Sequence, residues 1–297
     1  MSTDPLRLLT WMTPSIPRGV FDRIAENLSQ ALSRPVTVNS SPNRGGPTPG
    51  PGNPFSWGTV DIGFMSAPMY RSLQLEAQPT VRLCGAALVF DDPRNQGRPL
   101  NWSDIVVRNA DPARSLEDLK SRRFGYNDTS SLCGWHAMVE KLRDRPKAAG
   151  GPTSPARYFG SLRRTGSHLA AISQLIAGVI DVAALDSNCL LLASRQQGYA
   201  TSKLRIVESV GPWPVQPIVV RADMPEPTRL AIRDALLAQS DWPDIAISGF
   251  APQTEADLAG APHHGALVHD SDDADDIDEP GDGASPAGDA AVLPLGQ

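Results

Sequence analysis

Apolar, strand-like segments alternate with amphipathic helical segments along most of this chain, and that alternation limits the folds it can adopt. In Arg18–Leu32, Val20, Ile24 and Leu28 recur at helical spacing, whereas Leu6–Met12 has the length and composition of a strand. Strands that alternate with helices form parallel sheets covered by helices. The units are too many for one ordinary sheet and lack the eightfold evenness of a barrel. The sequence therefore predicts two α/β lobes.

The remaining elements follow the same pattern. Further strands are predicted at 35–39, 60–65, 81–90, 105–108, 123–127, 157–159, 179–185, 204–209 and 218–221. Further helices are predicted at 68–75, 115–119, 131–143, 167–177, 187–196 and 225–238. Segments 40–55 and 148–155 are rich in proline and glycine, which predicts irregular surface loops. They are not domain linkers, because periodic segments resume directly after them.

The C-terminal segment 260–297 differs in composition from the rest. It carries nine acidic residues and no lysine or arginine, and it has few large apolar residues to offset the entropy of ordering. The sequence predicts a disordered acidic tail after a folded body at 1–259. Of the chain's 33 acidic residues, 24 then belong to the body, against 27 basic ones. That balance disfavours a strongly basic nucleic-acid binder.

The N-terminus has no basic stretch followed by a long apolar run, so the sequence as written predicts no signal peptide and a cytoplasmic protein. No run of 18 apolar residues is present. Three scattered cysteines agree with a reducing compartment, and Cys84 and Cys189 are predicted to be core residues. No array of zinc ligands is visible, and no metal or cofactor is expected.

Polar residues follow the predicted strands at the positions where α/β folds bind ligands, beyond the strands' carboxyl ends. Ser66 follows one strand, Ser130 and Ser131 follow another, His168 opens a helix, and Asp186 follows the strand at 179–185. Unpaired N–H groups and the helix dipole make such helix starts anion sites. The same residue types are also ordinary helix caps, so each alone has a structural interpretation.

Four segments resemble, in the same order, the phosphate/phosphite/phosphonate substrate-binding proteins, the PhnD-like family of type II periplasmic binding proteins. They are VDIGFMS at 60–66, SLEDLKSRRFGYNDTSSLCGW at 115–135, TGSH at 165–168 followed by GVIDVAALDS at 178–187, and GPWPVQP at 211–217. Each segment alone is weak evidence, but their order and spacing make the resemblance specific. It covers roughly residues 5–250.

The resemblance implies two α/β lobes joined by two crossover segments, with a small anion clamped between them by hinge closure. Lobe 1 would comprise about 1–88 and 212–259, and lobe 2 about 89–211. The resemblance further implies a monomer that passes its ligand to an ABC-transporter permease, is not an enzyme, and normally works in the periplasm or outside the cytoplasm. The residues expected to bind the ligand are Ser66, Tyr126, Ser130, Ser131, His168, Asp186 and Gln216.

The sequence departs from the family's pattern at the helix start. Ser131-Leu132-Cys133-Gly134 stands where the family's phosphonate binders have Ser-Thr-Ser-Gly, so two hydroxyl donors are missing. Each lost charge-assisted hydrogen bond should weaken oxyanion binding by about 1.5–3 kcal/mol. Gln216 stands where an aminophosphonate binder would need a carboxylate. Trp135 and Trp213, predicted near the cleft, favour a more apolar ligand or act in packing.

Other functions stay open from the residues alone. Cys133, His168 and Asp186 have the order of a nucleophile, a base and an orienting carboxylate, which suggests a cysteine hydrolase or acyl transferase. A metal site at Cys133, His136 and His168 is a further alternative, because Cys133 and His136 are three residues apart on a predicted helix, but a third and a fourth ligand are not evident. A cytosolic biosynthetic enzyme or a ligand sensor on the same fold is the alternative to transport.

Overall fold

The structure, a computed structural model, describes residues 4–41, 45–50, 52–145, 153–196 and 199–264. The disordered tail was predicted at 260–297, and its residues 265–297 lie outside the described residues. The first residues of that segment are described and packed: Ala261 is buried, and the His264 N–H donates to the Pro68 carbonyl. The folded body therefore continues beyond the predicted boundary at 259.

The described chain forms strands and helices in alternation. The strands are β1 (Leu6–Thr10), β2 (Val36–Ser40), β3 (Ile62–Phe64), β4 (Val81–Leu83), β5 (Ala86–Phe90), β6 (Leu100–Arg108), β7 (Arg123–Tyr126), β8 (Ser161–Arg164), β9 (Val182–Asp186), β10 (Leu204–Pro214), β11 (Ile218–Arg221), β12 (Ser240–Trp242) and β13 (Ile247–Pro252). The α-helices are α1 (Arg18–Leu32), α2 (Ala67–Gln74), α3 (Ala137–Arg143), α4 (Pro155–Tyr158), α5 (His168–Ile176), α6 (Ser187–Arg195), α7 (Glu226–Leu237) and α8 (Glu255–Leu258). A turn of π-helix, Leu132–His136, leads directly into α3.

Two five-stranded sheets form the cores of two lobes. The first has the order β2-β1-β3-β11-β4, and the second has the order β10-β6-β9-β7-β8. A small antiparallel sheet, β12-β13-β5, extends the first lobe. The chain passes between the two large sheets twice, between β5 and β6 and again between β10 and β11. These two passages are the two predicted crossover segments.

Both large sheets are mixed, which the alternation of strands and helices did not predict. β11 lies antiparallel to β3 and β4, and β6 lies antiparallel to β9. Each of these strands enters its sheet from the other lobe and not through a helical crossover, so the rule for βαβ units does not apply to it. The strands that are linked by helices, such as β1 and β3 or β7 and β9, are parallel as predicted.

Helix α1 shows how the sequence pattern positions the elements. Val20, Phe21, Ile24 and Leu28 form its apolar stripe and are buried in the core of the first lobe. The helix ends at Ser33, whose backbone is left-handed (φ 47°). Burying such a stripe contributes most of a helix's stability in a protein, since isolated helices of this length are marginal.

Several predicted elements differ in the structure. The strand predicted at 81–90 is two strands in different sheets, because Gly85 between them has a φ of +98° and redirects the chain. The strand predicted at 157–159 is wrong: helix α4 lies there, started by a proline in its first turn, and β8 follows it. The helix predicted at 115–119 is a short 3₁₀ turn, Glu117–Leu119. Strands β12 and β13 were not predicted.

None of the described helices is both long enough and apolar enough to cross a lipid bilayer.

Candidate ligand-binding cleft

A cleft lies where the two lobes meet, and it is lined by loops that follow strands of both large sheets. Its accessible volume is about 70 Å³. A water needs about 10–15 Å³ by this measure, so the cleft has room for about five waters or one small molecule of similar size. The lining residues include Trp11, Ser15, Ser66, Asn101, Ser131, Cys133, His168, Asp186 and Gln216.

Four helix starts meet at this cleft. Ser66 caps α2 and accepts from the Met69 N–H, and Ser131 caps the π turn and accepts from the Gly134 N–H. At the start of α5, Ser167 accepts from an N–H of the first turn, and Asp186 caps α6 in the same way. The dipoles of the four helices therefore turn their positive ends toward one space, which favours a negative charge there.

His168, the first residue of α5, is almost fully buried in the cleft wall. Its ring Nδ1 accepts a long hydrogen bond (3.4 Å) from the backbone N–H of Asp186. The backbone N–H of His168 donates to Ser15 Oγ at 3.0 Å. Burial lowers the pKa of His168, with the Asp186 carboxylate opposing that shift. A neutral imidazole whose Nδ1 accepts must carry its proton on Nε2. His168 is therefore a neutral donor through Nε2.

The hydroxyl groups of Ser66 and Ser130 join the lobes to each other. Ser66 Oγ donates to the Ser130 carbonyl at 3.0 Å, and Ser130 Oγ donates to Asp128 Oδ1 at 2.6 Å. Ser130 Oγ also accepts from the Gly45 N–H at 2.7 Å. Both residues lie at the cleft as predicted, but their hydroxyl protons are already held by protein acceptors.

Ser131 differs from these two serines. Its Oγ accepts from the Gly134 N–H at 3.0 Å, and its hydroxyl proton has no acceptor among the described residues. The next two residues, Leu132 and Cys133, begin the helix, so their N–H groups have no acceptor within it. Ser131 and these two backbone N–H groups form a cluster of neutral donors at the cleft. The backbone donors remain although the side chains of Leu132 and Cys133 supply no hydroxyl.

The space around Gly134 explains why a glycine follows this cluster. A Cβ atom at position 134 would lie 1.8 Å from Asn127 Oδ1 and 3.0 Å from Ser131 Oγ. Only a residue without a side chain lets Asn127 pack against the first turn of the helix.

Asp186 is almost completely buried and accepts four hydrogen bonds from the protein. Its Oδ1 accepts from the backbone N–H groups of Asn188 and Cys189, at 2.9 and 3.2 Å. Its Oδ2 accepts from Asn101 Nδ2 at 2.7 Å and from Gln216 Nε2 at 2.8 Å. The side chain is therefore at the cleft as predicted, but it is satisfied by the chain itself.

The charges around the cleft are few. None of its described lining residues is a lysine or arginine, and the two carboxylates are those of Asp128 and Asp186. Asp128 pairs with Arg164 (Nη2 to Oδ2, 2.5 Å), which lies outside the lining. Among the described residues, the groups that could hold an anion here are neutral hydrogen-bond donors and helix N-termini.

The pKa of Cys133 does not fit a nucleophile. Burial raises its pKa well above the usual value, and the nearby Asp186 carboxylate adds to the shift. A catalytic thiol needs the opposite, a lowered pKa that yields thiolate. Cys189 lies in the first lobe's core as predicted, and it also lines the cleft wall. Burial raises its pKa as well. The described residues contain no cluster of three or more histidine, cysteine or acidic side chains suited to a metal ion.

Three aromatic residues predicted near the cleft lie elsewhere. Tyr126, predicted to bind the ligand, is buried in the core of the second lobe with its ring 4.7 Å from that of Trp135. Because the Tyr126 side chain packs in the core of the second lobe, it does not line the cleft. Trp213 packs at the edge of the first lobe's core. The apolar part of the lining comes instead from Trp11, among others.

Several cleft residues lie on loops that were not predicted to reach it. Trp11, Thr13 and Ser15 follow β1, so the rule about strand ends applies to them as well. Gly45 and Asn101 carried no such signal. Asn101 lies near the start of β6, which reaches the cleft only because β6 runs antiparallel to β9.

The sequence matches one family model over most of its length. The model is described as "ABC transporter, phosphonate, periplasmic substrate-binding protein" and matches residues 13–258.

Solved structures share the fold at low sequence identity. PhnD1 from Prochlorococcus marinus (MIT 9301), in complex with methylphosphonate, is 15% identical with a TM-score of 0.65 and matches 86% of this chain and 95% of its own. A binding protein component of an ABC phosphonate transporter from Pseudomonas aeruginosa is 16% identical with a TM-score of 0.64, over 86% and 84% of the two chains. XAC2383 from Xanthomonas citri, bound to ATP, is 19% identical with a TM-score of 0.57, over 87% and 95%. These matches confirm the predicted two-lobed α/β fold.

Proposed function

Since this chain belongs to the family of periplasmic substrate-binding proteins of phosphonate ABC transporters, we propose that it binds a small oxyanion of the phosphonate or phosphate type in the cleft between its lobes. The binding residues of this proposal are His168, Ser131 and the backbone N–H groups of Leu132 and Cys133. Tyr126 is left out because its ring lies in the core.

The observation that carries the proposal is the meeting of four helix starts at a cleft with no lysine or arginine among its described lining residues. Hydrogen bonds from neutral donors to an oxyanion are charge-assisted and strong. Helix N-termini stabilise negative charge without a counter-ion. The neutral Nε2–H of His168 adds a side-chain donor to this set.

The size of the cleft limits the ligand. A volume of about 70 Å³ matches the five non-hydrogen atoms of methylphosphonate or phosphate. A nucleotide such as the ATP bound to XAC2383 is several times larger than methylphosphonate, so the proposal favours the small oxyanion over a nucleotide.

We propose the family's role in transport for the whole molecule, with a membrane permease as the partner that receives the ligand and the monomer as the working unit. Binding without catalysis is part of this proposal. The raised pKa of Cys133 argues against a cysteine nucleophile, and no feature of the cleft favours the biosynthetic-enzyme or sensor alternatives.

The test is calorimetric titration of the full chain with methylphosphonate, phosphate, phosphite and ATP. We expect one of the three small oxyanions to bind with one-to-one stoichiometry and ATP not to bind. His168→Ala removes a charge-assisted donor, worth about 1.5–3 kcal/mol, so it should weaken that binding about 10- to 100-fold.

His168→Gln is the matched control because glutamine is neutral and keeps an N–H donor at this position. It should bind more tightly than His168→Ala. Equal affinities of wild type and His168→Ala would remove His168 from the site. The absence of binding by every small oxyanion would overturn the proposed function.

A further inference from the structure

One residue that follows the first crossover and one residue of the second crossover donate to the same carboxylate oxygen. Asn101 follows the first crossover and Gln216 lies in the second, and the side-chain amides of both donate to Oδ2 of Asp186. Asp186 also ties the start of α6 through two backbone N–H groups. A single carboxylate therefore fixes the side chains of both segments at the edge of the cleft.

The carboxylate also decides which way each amide faces. A carboxylate oxygen can only accept, so the NH₂ group of Asn101 and that of Gln216 must face Asp186. Their carbonyl oxygens must then face away from it. Both oxygens, Asn101 Oδ1 and Gln216 Oε1, are buried and have no hydrogen-bond partner among the described residues.

Buried acceptors without a partner are rare in native proteins and call for an explanation. Both residues line the ligand cleft, together with the donors of Ser131 and His168. Asn127 Oδ1 is a third oxygen of the lining without a partner, and it packs against Gly134. A ligand that only accepts hydrogen bonds would leave the Asn101 and Gln216 oxygens unsatisfied, which is costly in a buried site. A ligand with an O–H or N–H group would satisfy at least one of them.

We propose that Asn101 and Gln216, oriented by Asp186, are the specificity-determining acceptors of the cleft and select a ligand that carries a hydrogen-bond donor. The inference rests on the proposed function and narrows its ligand class to a singly protonated oxyanion, such as a hydrogen phosphonate. Asp186 itself is a positioning residue, because its four accepted hydrogen bonds come from the protein.

The test compares two anions of the same shape. Methylphosphonate keeps one acidic proton in mildly acidic buffer, whereas methanesulfonate has the same tetrahedral form and no O–H group. Sites built to pair with a ligand hydroxyl reject analogues that lack it by large factors, up to about 10⁴–10⁵. We expect calorimetry to show methylphosphonate binding at least about 100-fold more tightly than methanesulfonate, and likewise phosphate more tightly than sulfate.

Two variants test whether Asn101 and Gln216 cause the preference for methylphosphonate over methanesulfonate. Gln216→Met and Asn101→Leu keep the side-chain size and remove the amide, so each should lower the preference for methylphosphonate over methanesulfonate about tenfold or more. Ser131→Ala is the matched control, since it removes a donor that both anions use. It should weaken both bindings by the same factor and leave the preference unchanged.

Each outcome separates the two proposals. If methylphosphonate and methanesulfonate bind equally, the selection of a donor is overturned while oxyanion binding stands. If the preference exists but survives in both amide variants, the assignment to Asn101 and Gln216 is overturned. Because the wild-type comparison needs no substitution, a variant that fails to fold does not prevent the test. If no oxyanion binds at all, both proposals fall.

Discussion

Gly134 shows how one residue sets the geometry of the donors in the cleft. The side chain of Asn127 fills the space that a Cβ at position 134 would need. Any larger residue must push Asn127 or the helix start aside, and the Leu132 and Cys133 N–H groups would move with it. The requirement is spatial, since Gly134 is not among the glycines with positive φ.

We predict that Gly134→Ala lowers the free energy of unfolding by about 1–3 kcal/mol, the usual cost of forcing extra atoms into a packed site. Urea unfolding measures it. Gly19→Ala is the control, because Gly19 lies in α1 with no atom within 4 Å of its Cβ position. That substitution should raise stability by up to about 1 kcal/mol. Equal effects of the two substitutions would contradict the proposed crowding at Gly134.

The sequence could predict where most cleft residues lie but not what each one does. Ser131, His168 and Asp186 follow strands, so the rule about strand ends located them. The roles of Ser66 and Ser130 depend on Gly45, which is 85 residues before Ser130 along the chain. No local pattern reveals such a contact. For the same reason, the saturation of Asp186 by Asn101 and Gln216 could not be foreseen.

At the scale of elements, Asp181 ties together three neighbouring strands of the second lobe. It precedes β9, and its carboxylate accepts from Arg123 at the start of β7 and from Arg108 at the end of β6. The hydrogen bonds from Arg123 are the main reason that the pKa of Asp181 is held well below its usual value. Alternating apolar residues predicted these strands, whereas this clamp and the antiparallel entry of β6 depend on contacts distant in sequence.

We predict that Asp181→Asn destabilises the protein near neutral pH and that the difference from wild type disappears in acid. A carboxyl group with a lowered pKa stabilises the fold above its unfolded pKa of about 3.9, and this stabilisation is lost as the pH falls below that value. Urea unfolding at a series of pH values measures it. Asp22→Asn, in an exposed helix pair with Arg18, should change little. A difference for Asp181→Asn that is independent of pH would contradict the ionic role.

At the scale of the whole molecule, a pair of histidines joins the lobes away from the cleft. His136, on the π turn of the second lobe, is fully buried, and its ring centroid lies 6.4 Å from that of His264. His264 is held on α2 of the first lobe by Pro68 and Ser72. Burial lowers the pKa of His136 to about 3, and His264 and His263 add to the shift.

We predict that mild acid destabilises the folded protein through His136. A histidine with a lowered folded pKa is fully stabilising above its unfolded pKa of about 6.5, and stability is lost from there down toward the folded pKa of about 3. Between about pH 6.5 and pH 5, the lowered pKa of His136 should reduce the free energy of unfolding by about 2 kcal/mol. Urea unfolding of wild type and His136→Leu measures this. Equal losses of stability in both proteins over that range would exclude His136 as the cause.

Some of the hydrogen bonds that join the lobes at the cleft have a consequence for how fast a ligand is captured. Gly45 to Ser130, Ser66 to Ser130 and His168 to Ser15 are bonds between protein groups alone. They hold the two lobes together at the cleft. Capture therefore waits for these bonds to break, and at high ligand concentration the rate of opening, not the rate of encounter, sets the pace of uptake.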